Sequence, residues 1–170
     1  RALNQLITQA SWGELDYFLI DMPPGTSDIH LSLVQTLPIT GVVIVSTPQQ
    51  VALADARKGI AMFTDEKVNV PVLGIVENMA WFTPEAHPAE RYYIFGRNGA
   101  VELAEKLKVE LLTQIPMVGS ICEGGDNGSP IALADSMTGI AFMDLADAVD
   151  KAVAKRNSEL PPTEKVQTHQ

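Results

Sequence analysis

The sequence predicts an α/β domain built on a parallel sheet, and three observations carry that expectation. Of 170 residues, 46% are hydrophobic but only 6% aromatic, so the core rests on Val, Ile, Leu, Ala and Met. Short aliphatic runs recur along the chain, as buried parallel strands require. Helical-period segments separate them at repeats of roughly 25–40 residues, the spacing of βαβ units.

The elements follow in order. Residues 2–10 place Leu3, Leu6, Ile7 and Ala10 on one helical face. The run Tyr17–Ile20 ends at Asp21 and reads as a first strand; the pattern returns in 41–47, in 70–78 and more weakly in 109–116, giving four buried strands. Helices are predicted over Asp28–Thr36, with Ser27 or Asp28 as the N-cap, and over 50–66, 98–108 and 139–156. The domain is therefore expected to span 1–156. The tail 157–170 is polar, contains two prolines and is expected to be disordered.

A net charge of −9 argues against non-specific binding of nucleic acid or of anionic membranes. It leaves room for a small anion, which backbone dipoles can hold on an acidic protein. The lone cysteine, Cys122, cannot close an internal disulfide, which points to a reducing, cytoplasmic location. No apolar stretch reaches transmembrane length. The chain opens on Arg1-Ala2-Leu3, inside a helical pattern, and is expected to be a piece of a longer polypeptide.

Ligands of open α/β sheets sit beyond the carboxyl ends of the strands. That rule selects Asp21–Asp28, Ser46–Gln50, Glu77–Phe82 and Pro116–Asp126. In the first, an aspartate ends an apolar run and Pro-Pro-Gly follows at once. P-loop nucleotidases hold magnesium on such an aspartate, and magnesium needs only one or two carboxylates. Gly25 would let a backbone N–H approach a terminal phosphate, and Pro23 and Pro24 would stiffen the loop that senses it. Asn78, just past a buried strand, can donate and accept together, matching the paired polar edge of adenine. Pro116 and Met117 offer an apolar surface for a purine, and the glycine-rich stretch behind them reads as a mobile loop. Each cluster also has a plainer reading: a solvated aspartate before a proline turn, an asparagine capping the sheet edge, a surface loop.

The segments IDMPPGTSD, VSTPQQVALADARKGIAMF, VPVLGIVENMAWF, YYIFGRNGA and IPMVGSICEGGDNGSP resemble the Mrp/ApbC family, relatives of the MinD and ParA ATPases and of the nitrogenase iron protein. They run in the family's order from residue 12 to about 156. The resemblance implies a P-loop NTPase-type sheet with helices on both faces, truncated before its first strand and phosphate loop. It implies ATP and Mg2+ as cofactors, a homodimer, and iron–sulfur assembly or apo-client proteins as partners. Asp21 falls on the magnesium aspartate and Gly25 on the switch glycine. Asn78 falls on the adenine-contacting asparagine, Pro116 and Met117 on the base-packing segment, and Glu123 on a position reaching the nucleoside. Thr47, Pro48 and Gln49 fall on the segment coupling nucleotide state to the dimer interface.

The sequence departs from the family where many members carry Cys-x-x-Cys, since Pro84 and His87 stand at those positions. Proline cannot ligate a cluster. Cys122 remains as a weak candidate, and a small packed hydrophobe is its plainer reading. His30, His87 and His169 have no ligand partners at zinc-site spacing. Two functional readings result: an ATP-hydrolysing iron–sulfur cluster carrier, or a nucleotide-switched scaffold without a cluster. Either way the chain alone is expected to be inactive, because the phosphate-loop lysines lie outside it.

Overall fold

A computed structural model describes residues 2–84 and 86–166. The element order is α1 (Ala2–Gln9), α2 (Asp28–Thr36), β1 (Val42–Ser46), α3 (Gln50–Phe63), β2 (Val72–Glu77), α4 (Gly99–Leu107), β3 (Leu111–Gln114), α5 (Gly119–Asp126), a 3-10 turn (Ile131–Leu133) and α6 (Met137–Glu159). The strands form one parallel sheet in the order β1-β2-β3. Sequential parallel neighbours joined by helices are the arrangement that the alternating pattern predicts.

The aliphatic runs become strands because helices bury them. Leu53 and Ile60 of α3 meet Ile75 of β2 and Ala100, Leu103 and Ala104 of α4 in one buried cluster. A second cluster, Val34, Phe63 and Val70, docks α2 below the amino ends of β1 and β2. The helix α6 packs against β3 and β2 without entering either cluster. Helix α2 keeps its predicted limits, because Ser27 before it is extended and its N–H donates to His30 Nδ1 at 3.2 Å. That is the reach-back half of a capping box, with histidine in the place usually taken by Glu or Gln.

Three expectations are corrected. Tyr17–Ile20 forms no strand: among the described residues it has no neighbour to complete a ladder, and Leu19 is 83% exposed. A strand's backbone groups need a partner chain beside them, whatever the side chains prefer. The stretch after Pro116 is not a loop throughout, because Gly119–Asp126 forms α5. Gly124 has a specific use there: a Cβ would lie 2.7 Å from the Ser129 carbonyl, where the chain turns back over the helix. Finally, α6 continues to Glu159, and residues 160–166 fold back instead of hanging free. Arg156 is buried and donates to the Pro161 carbonyl at 2.7 Å and to Thr163 Oγ1 at 2.6 Å, and Val166 N–H donates to the Val34 carbonyl at 3.1 Å. The expected tail residues 167–170, His169 among them, lie outside the described residues.

Candidate functional site

Three of the four predicted clusters meet at the carboxyl edge of the sheet, and backbone hydrogen bonds hold them together. Asn78 N–H donates to the Ser46 carbonyl at 2.8 Å, joining the end of β2 to that of β1. Ile115 N–H donates to the Glu77 carbonyl at 2.9 Å, and Ala80 N–H to the Ile115 carbonyl at 3.0 Å. Met117 N–H then donates to the Trp81 carbonyl at 2.7 Å, and Phe82 bridges Met117 on one side and Tyr92 on the other. Asn78 and the Pro116–Met117 pair are therefore carried on one continuous edge. Asn78 Oδ1 accepts from Met79 N–H at 3.0 Å, and its side chain is half-buried. Met79 has φ 54, a left-handed conformation that a methionine adopts only where its surroundings require it.

Glycines set the close approaches. A Cβ on Gly99 would lie 2.2 Å from the Pro48 carbonyl and 2.7 Å from Leu53 Cδ1, so only glycine lets the start of α4 rest on the Ser46–Gln49 turn. Thr47 Oγ1 is buried in that turn without a hydrogen-bond partner.

Sequence reasoning missed Glu77. Its side chain is wholly buried, Oε1 accepts from Ala100 N–H at 2.9 Å, and Oε2 accepts from Gln114 Nε2. The only trace in the sequence is an acid at the end of an otherwise aliphatic run; the uncapped start of α4 that it serves is visible only in the structure.

The first cluster is built differently. Asp21, Pro23, Pro24 and Gly25 are all exposed, and no hydrogen bond or ion pair joins the Asp21 carboxylate to another described residue. Gly25 has φ +92 with open space where a Cβ would be, so its backbone is free to face a ligand. One accessible carboxylate beside a free backbone N–H suits a hydrated magnesium ion and a phosphate. The preceding segment is tethered through side chains. Trp12 and Phe18 rings lie 4.9 Å apart, and Tyr17 OH donates to Asp150 of α6. That hydrogen bond, with the negative charge of Asp150 behind it, raises the Tyr17 pKa.

Glu123 and Cys122 both lie exposed on α5, with Cys122 Sγ 3.7 Å from Asp126 Oδ2. Pro84 is half-buried, and His87 is exposed, with Nδ1 3.7 Å from Glu90 Oε1. Beside them Arg91 stacks over the Trp81 ring at 4.2 Å. Among the described residues no group of three or more His, Cys, Asp or Glu side chains could hold a metal ion. No described helix is long and apolar enough to cross a membrane.

Comparison with known proteins agrees with this architecture. The family model of NUBPL iron-transfer P-loop NTPases, of the ParA group, matches residues 1–150. An iron–sulfur cluster carrier protein of Pseudomonas fragi is 51% identical over 84% of this chain and 48% of its own length. An Arabidopsis thaliana iron–sulfur protein required for NADH dehydrogenase, mitochondrial, is 46% identical over 96% of the chain and 51% of its own length. The mouse iron–sulfur cluster transfer protein NUBPL is 48% identical over 78% of the chain and 41% of its own length. A nucleotide-binding protein of Archaeoglobus fulgidus, solved in complex with ADP, superposes with a TM-score of 0.66 at 44% identity, over 75% of this chain and 51% of that one. The chain spans about half the length of the curated relatives it matches.

Proposed function

This chain belongs to the NUBPL family of iron-transfer P-loop NTPases, and from that premise we propose that it forms the carboxyl-terminal part of an ATP-hydrolysing iron–sulfur cluster carrier. In this reading the cluster is cargo, passed to apo-client proteins by a cytoplasmic homodimer. ATP binding and hydrolysis set when it is loaded or released.

The roles carried by the family resemblance are compatible with the geometry. Asn78 reads the adenine edge through its amide, while Pro116 and Met117 pack the ring. Glu123, on the exposed face of α5, reaches the nucleoside. Asp21 holds magnesium, directly or through water, and Gly25 presents its N–H to the terminal phosphate. Bound magnesium would neutralise phosphate charge as it develops, and positioning with electrostatics supplies most of the catalysis in such sites. The Thr47–Gln49 turn, wedged between β1 and Gly99, links the base side of the site to the dimer interface.

The observation that carries this reading is the Ile115–Ala80 and Trp81–Met117 stitching, which places Asn78 beside the purine-packing pair on one edge. The whole protein should hydrolyse ATP with magnesium, and D21N should lower kcat by about a hundred-fold or more. Hydrolysis by the 170-residue chain alone at a comparable rate would overturn the assignment of labour between the two halves. Anaerobic loading of the whole protein with iron and sulfide tests the cargo. A chromophore that an apo-acceptor takes up supports the carrier reading, and its absence removes it.

A further inference from the structure

The carboxylate of Glu77 has no role in the assignments above, yet it is 0% exposed at the end of β2, immediately before Asn78. An acid in such a place is costly unless its oxygens are satisfied. Here each oxygen accepts from a different element. Oε1 takes the N–H of Ala100 at 2.9 Å, in the first turn of α4. Asn98 precedes that turn with φ 56 and makes no side-chain capping bond, so Glu77 supplies the cap from a neighbouring strand. Its carboxylate therefore meets the positive end of the helix dipole. Oε2 takes the Nε2 hydrogen of Gln114, two residues before Pro116. The main-chain carbonyl of Glu77 accepts from Ile115 N–H at 2.9 Å.

One residue thus bonds to both limbs of the base site and to the helix beneath them. We propose that Glu77 is the positioning residue of that site, seating the Asn78 limb and the Pro116–Met117 limb, already stitched to each other through their backbones, on the start of α4. Without the carboxylate the backbone bonds between the limbs remain, but the pair loses its tie to α4, because Gln114 has only a 3.5 Å contact with Asn98 Oδ1 left to make. Helix α4 in turn rests on Pro48 through Gly99, so the lock extends to the Thr47–Gln49 turn.

The inference rests on the purine reading of Asn78, and the experiment separates the two. In the whole protein, ATP and inorganic tripolyphosphate are titrated calorimetrically into wild type, E77Q, N78A and the double variant. Tripolyphosphate reports the phosphate half of the site without a base. E77Q should weaken ATP about ten-fold, the size of one lost charge-assisted hydrogen bond, and leave tripolyphosphate unchanged. Added to N78A, it should cost little more, because both act on one contact. Equal weakening of both ligands by E77Q would make Glu77 a general fold residue and overturn the proposal. So would full ATP affinity in E77Q where N78A is impaired. Full ATP affinity in N78A would instead remove the base-site reading, and the proposal with it. Should E77Q fail to fold, Q114A cuts the second bond at a half-buried position and must show the same split between the two ligands.

Discussion

At the carboxyl edge of the sheet Glu77 and Ile115 are 0% and 2% exposed and every strand end is hydrogen-bonded to its neighbour, whereas across Trp12–Asp28 Leu19 is 83% exposed and Asp21 touches no described partner. Both regions belong to the site proposed here, one facing the base and the other the phosphates and magnesium. The base side is fixed by contacts internal to the chain: two helices, three strands and a buried carboxylate hold it. The phosphate side hangs from α2 behind it and from the Tyr17–Asp150 bond in front. A rigid base pocket and a loosely tethered phosphate sensor are what a nucleotide switch needs. In the proposed reading the loop changes when the terminal phosphate leaves, while the base side keeps hold of the nucleotide.

The largest break in that contrast should come from the two acids. Glu77→Ala leaves the buried Ala100 N–H without an acceptor and the half-buried Gln114 amide with only its 3.5 Å contact to Asn98 Oδ1, and opens a cavity. It should destabilise the chain by about 3 kcal/mol. Asp21→Ala removes an exposed side chain with no partner and should change stability by less than about 0.5 kcal/mol. Urea unfolding of the two variants, followed by circular dichroism, reads the difference directly. Comparable losses would mean that Asp21 is held by contacts equal to those of Glu77, and the contrast would fail.

Two glycines sharpen the same comparison at smaller scale. Gly99→Ala drives a methyl to 2.2 Å from the Pro48 carbonyl, so α4 and the Ser46–Gln49 turn must part. The expected cost is about 2 kcal/mol, in the range of core overpacking. Gly25→Ala meets nothing within 4 Å, and only its φ of +92 opposes the change. That cost is conformational, about 1 kcal/mol, and the loop can relax part of it away. Thermal midpoints measured on both variants should keep this order. In the whole protein the ranking should invert for hydrolysis, because Gly25 is assigned to the phosphate and Gly99 is not.

How much of this was legible in the sequence follows the same division. The runs at 41–47, 70–78 and 109–116 were readable as strands because their burial is supplied by helices only a few tens of residues away, within sight of the pattern. Asp28–Thr36 was readable to the residue because Ser27 and Pro24 mark its start. Tyr17–Ile20 has the same composition as a strand, but strand formation depends on a neighbour, which composition does not encode. Helix α5 was hidden by Gly119, Gly124 and Gly125, whose poor helix propensity is offset by the turn at Ser129 packing over Gly124. Of the proposed site, the sequence could put Asn78 and the Pro116–Met117 pair on one sheet edge, because both follow buried strands. Glu77 was passed over because its bonds run to Ala100 and Gln114, 23 and 37 residues away, and a lone acid beside Asn78 looks like the polar end of a strand.

The smallest effect tests the tether in front of Asp21. Tyr17 donates to Asp150, and that bond, together with the negative charges of Asp150 and Asp16, raises its pKa above the usual value of about 10. A raised folded pKa means that the folded chain holds this proton more tightly than the unfolded chain does. The stabilisation is therefore fully present below about pH 10 and is lost as pH rises through the folded pKa. The phenol is solvent-exposed, so the effect should be read as titration and not as a stability difference. Ultraviolet titration of the tyrosines, with Y17F used to assign the Tyr17 component, should show it ionising above the usual range. Asp150→Ala should bring that component back toward 10, since it removes both the hydrogen-bond acceptor and the negative charge. A Tyr17 titration that ignores Asp150→Ala would mean that the segment is not moored to α6. The phosphate side would then be held by α2 alone, looser still than the contrast with the base side requires.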